Sequence, residues 1–446
     1  MEQMGKSLAG FVRFRGRIHN SGRIPRGIIT RGISLAFFSI LILFISGGCS
    51  SKGLLSEKHS PDYYRVPKLM SDDMTNVNPT FIAYGDPQAG WRIKEKFIHR
   101  HNWATWKMLI FPFYELYWLG NGVAGAVDGI RMNATYGAEY RRIMRETIYR
   151  QAKVSDADFI LCLGDISAGD GRRHDHWELF LDENKHHGKI LDEFPYLPTI
   201  GNHERANDID YGWTNYSDVF GYPRFYKVEF KDAVLLITDS NFILDQKSHI
   251  DNKKQDSLFN EWFVSDGNSS KKAWLEHELA SAGDKFKIVS IHHPPVTFGQ
   301  HYTDWYDQSY GNDLLEKRRK LIGLFERENV QLVLSGHEHY YQHNILNYDS
   351  NDQNRAIHFV VSSGGGVPLR EAPSESAISK RLEEYERQGY DIGVVKQESV
   401  FHYTVIDVAE NTLSVKTYEV PEKPGNSITL LDDLLIRKLA SENRIP

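Results

Sequence analysis

Cysteine is nearly absent, and so are internal repeats, low-complexity tracts and any surplus of basic charge. The 446 residues contain two cysteines, Cys49 and Cys162, which excludes a disulfide-stapled scaffold. The clearest apolar run, Ile33 to Ile45 (ISLAFFSILILFI), stops at thirteen residues, which fits a signal-peptide core and is short for a membrane span. The formal charge is -6, yet residues 1–32 carry seven basic residues against one acid. Without the first 48 residues, 46 basic residues face 58 acidic ones. That balance excludes a nucleic-acid-binding surface spread over the body of the chain. What remains is ordinary: 41% hydrophobic and 25% charged residues, enough for a full core and against a largely disordered chain.

The N-terminus reads as a targeting segment. A basic stretch and the apolar core lead into Ser46-Gly47-Gly48-Cys49 and then polar Ser50-Ser51-Lys52. Small residues ending in cysteine resemble a bacterial lipoprotein signal, with Ser46 standing where that pattern usually has an aliphatic residue. The resemblance implies a leader over 1–48 and Cys49 as the lipidated first mature residue, anchoring the chain to a membrane. An uncleaved N-terminal anchor is the other reading. Both place the body in the cell envelope, outside the cytoplasm. Residues 49–75, with Pro61 and Pro67, read as a tether, 76–420 as the folded domain and 421–446 as a C-terminal tail.

From Phe81 onward, short apolar runs recur, each ending in a polar cluster. Phe81–Tyr84 precedes GDPQ, Phe159–Leu163 precedes GDIS, and Tyr196–Ile200 precedes GNHE. Ile288–Ile291 precedes HHPP and Leu332–Leu334 precedes GHEH. Runs of three to five residues without helical period predict buried strands. Glu139–Ala152, Lys271–Ala280 and Asp313–Asn329 carry helical patterns between them. The alternation predicts an α/β fold with functional residues at strand C-terminal ends. Arg224–Ser240 and Phe401–Val420 read as antiparallel hairpins, the second turning near Ala409–Thr412.

Those strand ends carry Asp86, Asp165, Asn202, His203, His292, His337 and His339. Singly, each is explained as a turn residue, a cap or a hydrogen-bonded histidine. Together they supply what two divalent metals ~3.5–4 Å apart need: a bridging carboxylate, further N and O ligands, and room for water and substrate.

The blocks Gly85-Asp86-Pro87-Gln88, Gly164-Asp165, Gly201-Asn202-His203-Glu204, Val289-Ser290-Ile291-His292 and Gly336-His337-Glu338-His339 resemble, in this order, the calcineurin-like metallophosphoesterase superfamily, which includes purple acid phosphatases. The resemblance spans about residues 80–366 and includes Ser362-Ser363-Gly364-Gly365-Gly366. It implies a four-layer αββα sandwich of two mixed β-sheets flanked by helices. It implies two divalent metal ions (Zn, Fe, Mn or Mg), with Asp86 and His339 on the first, Asp165 bridging, and Asn202, His292 and His337 on the second. His203 then stands outside the metals as the acid or phosphoryl contact, with Glu204 orienting it, and a metal-bound hydroxide attacks a phosphate mono- or diester.

Two departures matter. Gln88 stands where many members have histidine, so the first metal is expected to bind more weakly or to share that position with water. Ala168 stands where purple acid phosphatases have tyrosine, so the purple ferric chromophore is expected to be absent. Between Asp86 and Asp165 lies an apolar insert, about 91–135, read either as a cap packed on the body or as a patch touching lipid. Arg172, Arg173 and His174 either bind the substrate phosphate or form a solvated charged loop. Two further functions stay open: a non-catalytic envelope lipoprotein using the fold as a binding module, and a membrane-lipid phosphohydrolase.

Overall fold

The structure is a computed structural model that describes residues 65–66, 74–89, 138–168, 171, 174–186, 188–205, 209–244, 271–306, 313–347, 356–422 and 426–438. The leader with Cys49, most of the 49–75 tether, the 91–135 insert, Arg172 and Arg173 lie outside the described residues. Among the described residues no helix is long and apolar enough to cross a membrane.

Two mixed sheets carry the fold. The first has the order β13-β12-β11-β1-β2-β3: β1 (Thr80–Tyr84), β2 (Phe159–Cys162) and β3 (Tyr196–Pro198) run parallel, and β11 (Phe401–Val408), β12 (Thr412–Val420) and β13 (Thr429–Arg437) add antiparallel. The second has the order β10-β8-β9-β7-β6-β5-β4. In it β5 (Ala233–Thr238), β6 (Phe286–Ile291), β7 (Leu332–Ser335) and β9 (Ile357–Ser362) are parallel. Its antiparallel members are β4 (Tyr226–Glu229), β8 (Tyr341–Leu346) and β10 (Ile392–Glu398).

The strand period of two sorts side chains into three cores. In β1, Phe81 and Ala83 point between the sheets, where they meet Leu235, Ile288, Leu334 and Val360 of the second sheet. Ile82 and Tyr84 point the other way, onto α1 (Ala138–Val154), whose Met144, Ile148 and Ala152 recur every fourth residue. On the far side, Val289, Ile291 and Val333 pack against Leu275 and Leu279 of α4 (Lys271–Ser281) and Leu321 and Phe325 of α5 (Asp313–Arg327). Helix, sheet, sheet, helix is the expected four-layer sandwich. Helices α2 (His174–Leu181) and α3 (Ile209–Phe220) precede these, and α6 (Glu375–Arg387) closes the series, capped by Ser374 accepting from the Ala377 N–H at 3.3 Å.

The C-terminal segment departs from the expected tail. Thr429–Arg437 pairs along β12 as an edge strand, with Ile436 buried and Asp432 pointing inward to Tyr341 and His343. Its run TLLDDLLIR places two aspartates among leucines, which blurs the alternation that marks a strand. The tether is also partly packed: Val66 is buried and its N–H bonds to the Val219 carbonyl at 2.7 Å.

Candidate metal centre

Parallel strands end on one side of each sheet, and the loops that follow β1, β2, β3, β6 and β7 carry the predicted residues. Three groups of converging ligand atoms result among the described residues: beside His293, Asp304 and His337, there are two fully buried ones, Asp86, Asp165 and His339 in one, Asp165, His292 and His337 in the other. Asp165 belongs to both of the fully buried groups. Within each group the ligand atoms lie within 4.8 Å of one another, and every residue of the two Asp165 groups is buried.

The backbone is bent to bring them there. Asp86, Gln88, Asp165, His337 and His339 are five of the nine non-glycine residues with positive φ among the described residues. Such conformations cost on the order of 1–3 kcal/mol each and persist where the surroundings over-determine them. The motif glycines make room. Gly164 sits at φ 97, and a Cβ there would lie 2.5 Å from His292 Nδ1. A Cβ on Gly201 would fall on the Asp165 carboxylate. The Ser362–Gly366 run braces the first loop, with Gly365 N–H on the Gly85 carbonyl at 2.9 Å and Val367 N–H on the Asp86 carbonyl at 3.1 Å.

Each imidazole has one nitrogen tied down. His292 Nδ1 donates to the Leu163 carbonyl at 2.7 Å, leaving Nε2 3.2 Å from Asp165 Oδ1 and 3.1 Å from Asn202 Oδ1. His339 Nδ1 faces the Pro368 carbonyl at 3.3 Å, leaving Nε2 3.6 Å from Asp86 Oδ1. His337 Nε2 donates to Asp304 Oδ2 at 2.8 Å, leaving Nδ1 as the lone-pair nitrogen. This is how proteins orient histidine ligands. Asp86 Oδ2 accepts the His337 N–H at 2.8 Å, whereas the buried Oδ1 has no hydrogen-bond partner among the described residues. An ionised oxygen left this way is costly unless a cation meets it.

Electrostatics point the same way. Burial raises Asp86 well above the usual carboxylate range, opposed by His292 and reinforced by Asp165. Burial would lift Asp165 too, but His203 and His292 outweigh it and hold it well below that range. Burial lowers His337 and His339 well below ordinary histidine, aided by His293 in the first case and Arg370 in the second. Against burial, the Asp165 and Asp86 carboxylates lift His292 to about 10. Protein charges alone leave one aspartate in conflict with its surroundings; divalent cations on neutral imidazoles and two ionised carboxylates resolve it. The residues present therefore fit a metal.

A sequence profile described as calcineurin-like phosphoesterase matches residues 138–341. The match covers 204 of the 446 residues and takes in Asp165, Asn202, His292, His337 and His339. Phosphoesterases of this family are hydrolases. Among curated relatives, the chain is 22% identical over 307 residues to tartrate-resistant acid phosphatase type 5 of Rattus norvegicus, covering 65% of this chain and 84% of that protein. It is 27% identical over 183 residues to a probable glycerophosphodiester phosphodiesterase, GpdQ, of Arcobacter nitrofigilis, covering 41% of this chain but 56% of that protein. A solved structure of PhoD superposes with a TM-score of 0.50 at 12% identity, covering 83% of this chain and 72% of the other. That likeness is one of fold.

Gln88 is fully buried beside the first group. Its amide nitrogen lies 3.2 Å from Asp165 Oδ2 and 3.1 Å from His339 Nε2, so ligation would need the amide turned to present oxygen. His203 sits at the mouth, 22% exposed, with its N–H on Asp165 Oδ1 at 3.0 Å and Nε2 3.5 Å from Oδ2. Glu204 corrects the sequence reading. Its carboxylate does not orient the imidazole of His203; it accepts the N–H groups of Asp165, Ser167 and Gly201 at 2.9, 2.8 and 2.8 Å. A buried carboxylate with three such donors fastens the β2 and β3 loops together. Burial, then the charge of Asp165, raises it to about 7. His293 has Nδ1 2.7 Å from the Ser240 hydroxyl, while its ring lies 4.3 Å from that of His337 and forms a third ligand group with Asp304 and His337. His174 opens α2, and the Gly171 N–H donates to the His203 carbonyl at 2.7 Å.

Sequence reasoning missed His301, Asp304 and Arg370. The first two lie on the 3-10 turn Gln300–Trp305, where no strand end marks them. A histidine and an aspartate spaced three apart on a loop shortly after HHPP were the available signal.

Proposed function

We propose that this chain is a dinuclear metal-dependent phosphoesterase that hydrolyses a phosphate mono- or diester. One observation carries the reading: two ligand groups share the single carboxylate of Asp165. Asp86, Asp165 and His339 hold the first cation, with the Gln88 amide or water beside it. Asp165, His292, His337 and Asn202 hold the second. Cations bound there supply Lewis acidity toward the phosphoryl oxygens and a nucleophile from water near neutral pH. The chain supplies the rest. Leu163, Pro368 and Asp304 fix which nitrogen each histidine presents. Glu204 and Gly201 hold Asp165 and Asn202 in register. His203, partly exposed beside Asp165, contacts the phosphoryl group or protonates the leaving oxygen. Arg172, Arg173 and His174, beyond the pinned Gly171, are proposed to bind the substrate phosphate.

Phosphatase and phosphodiesterase names among the relatives support both ester classes. The test is turnover of p-nitrophenyl phosphate and bis(p-nitrophenyl) phosphate by the purified chain after reconstitution with Zn, Mn, Fe or Mg. Turnover of either supports the reading, and full metal occupancy with turnover of neither would favour a binding module. Envelope anchoring through Cys49 rests on the sequence alone. It predicts that Cys49→Ala abolishes lipid labelling; a variant that is labelled and matures normally would discard it.

A further inference from the structure

A closed ring of polar contacts flanks the centre. His337 Nε2 donates to Asp304 Oδ2 at 2.8 Å, and the same oxygen accepts His301 Nδ1 at 3.0 Å. His301 Nε2 meets Arg370 Nη1, and Nη1 also donates to the His337 carbonyl at 3.1 Å. Since His301 gives its Nδ1 proton to Asp304, its Nε2 is the acceptor and the guanidinium the donor. The His301 and His337 rings lie 3.7 Å apart. Asp304 therefore serves two imidazoles, and His301 holds a guanidinium.

Arg370 is fixed at both ends. Its N–H bonds to the His339 carbonyl at 3.1 Å, and its own carbonyl accepts the Ser399 hydroxyl at 2.7 Å. The residue thus rides on the GHEH loop. It is only partly buried. Among the described residues its side-chain bonds all run from Nη1, so the Nε and Nη2 half of the planar fork keeps its donors. The charge acts on Asp86, Glu338 and His339, which places it within electrostatic reach of the first ligand group. Arginine is always charged and its fork suits a bidentate oxyanion.

We propose that Arg370 is a specificity-determining residue that binds a non-bridging oxygen of the substrate and makes the phosphomonoester dianion the preferred substrate over the diester. The inference rests on the phosphoesterase reading above. A monoester near neutral pH carries close to two negative charges because its second pKa is about 6, and a diester carries one. Two cations at the centre serve both esters alike, so discrimination needs a further positive group reaching the oxygen that a diester has alkylated.

The test compares kcat/KM of the metal-loaded full chain for p-nitrophenyl phosphate and its bis ester. Wild type should favour the monoester. Arg370→Gln should cut the monoester value by roughly 10- to 100-fold more than the diester value. Arg370→Lys, which keeps the charge and loses the fork, should fall between them and also serves if the glutamine variant folds poorly. Equal losses on both esters at unchanged metal content would overturn the inference, since a mere brace for His301 affects both alike. A wild type that prefers the diester would overturn it too. If wild type turns over neither ester, it is the phosphoesterase reading that fails. Calorimetry of inorganic phosphate and dimethyl phosphate then decides separately: Arg370→Gln should weaken phosphate at least about tenfold more than dimethyl phosphate, and equal weakening counts against the proposal.

Discussion

The structure buries two clusters of histidine and carboxylate, and they are not alike. At the candidate metal centre, Asp86 Oδ1 lacks a hydrogen-bond partner among the described residues, the backbone is forced to positive φ, and ligand atoms lie within 4.8 Å of one another. Between the sheets, Asp432 of β13 accepts His343 Nδ1 at 2.8 Å and Tyr341 Oη at 2.7 Å, and His343 Nε2 meets His358 Nδ1 at 3.0 Å. These residues sit on strands, Asp432 beside a register shift in β13, and none has positive φ. The second cluster satisfies itself and joins the sheets; the first needs something brought from outside. Burial of such residues therefore does not mark a site. Unmet valence on a strained frame does.

The sharpest way to break this contrast is to remove one carboxylate from each cluster. Asp165→Ala should lose both metals and bring turnover to background. Asp432→Ala should keep both metals while leaving two buried donors unmet, at a cost of about 1–3 kcal/mol each, read as a lower urea midpoint. If the two variants behave alike, the contrast is empty.

His203 comes next. His203→Ala should retain metal and lower turnover by roughly 10²–10⁴-fold. Metal loss in that variant would move His203 among the ligands.

The inter-sheet cluster should reveal itself in acid. Burial, with His343 adding, lowers His358 from 6.5 to about 3. Its folded value lies below the unfolded one, so the unfolded chain binds more protons between these limits. Its contribution is complete above about pH 6.5 and is lost as pH falls toward about 3. His358→Gln should flatten that acid limb in denaturation midpoints measured at about pH 5 and 7.5, with metal content unchanged. An unaltered slope would mean His358 is not the group responsible.

The smallest effect expected is at Gln88. The cation on Asp86 and His339 should leave first on mild chelation, and Gln88→His should slow that loss because imidazole is the stronger ligand. Gln88→Ala should be mild for stoichiometry if water shares the position, and severe if the amide ligates.

Much of the fold was legible because buried parallel strands read as short apolar runs, each ending in its own polar cluster. Phe81–Tyr84 and Leu332–Leu334 are such runs, and the ends of β1, β2, β3, β6 and β7 matched the expected blocks within a residue or two. Edge strand β13 was not legible, because aspartates face both the sheet interior and solvent there. Glu204 was misread because adjacency to His203 in sequence says nothing about where a carboxylate points on a one-turn helix. Arg370 escaped for a related reason. It reaches the centre by riding the chain past Ser362–Gly366, a path set by the packing of β9 against β1 and β11 and not by any local pattern.

The central claim is that two cations meet at Asp165. Elemental analysis of the purified, reconstituted chain tests it most directly. The account predicts two divalent ions per chain in wild type and in Asp432→Ala, and close to none in Asp165→Ala. A wild-type chain that holds no metal after exposure to Zn, Mn, Fe and Mg, or an Asp165→Ala variant that keeps both, would contradict it.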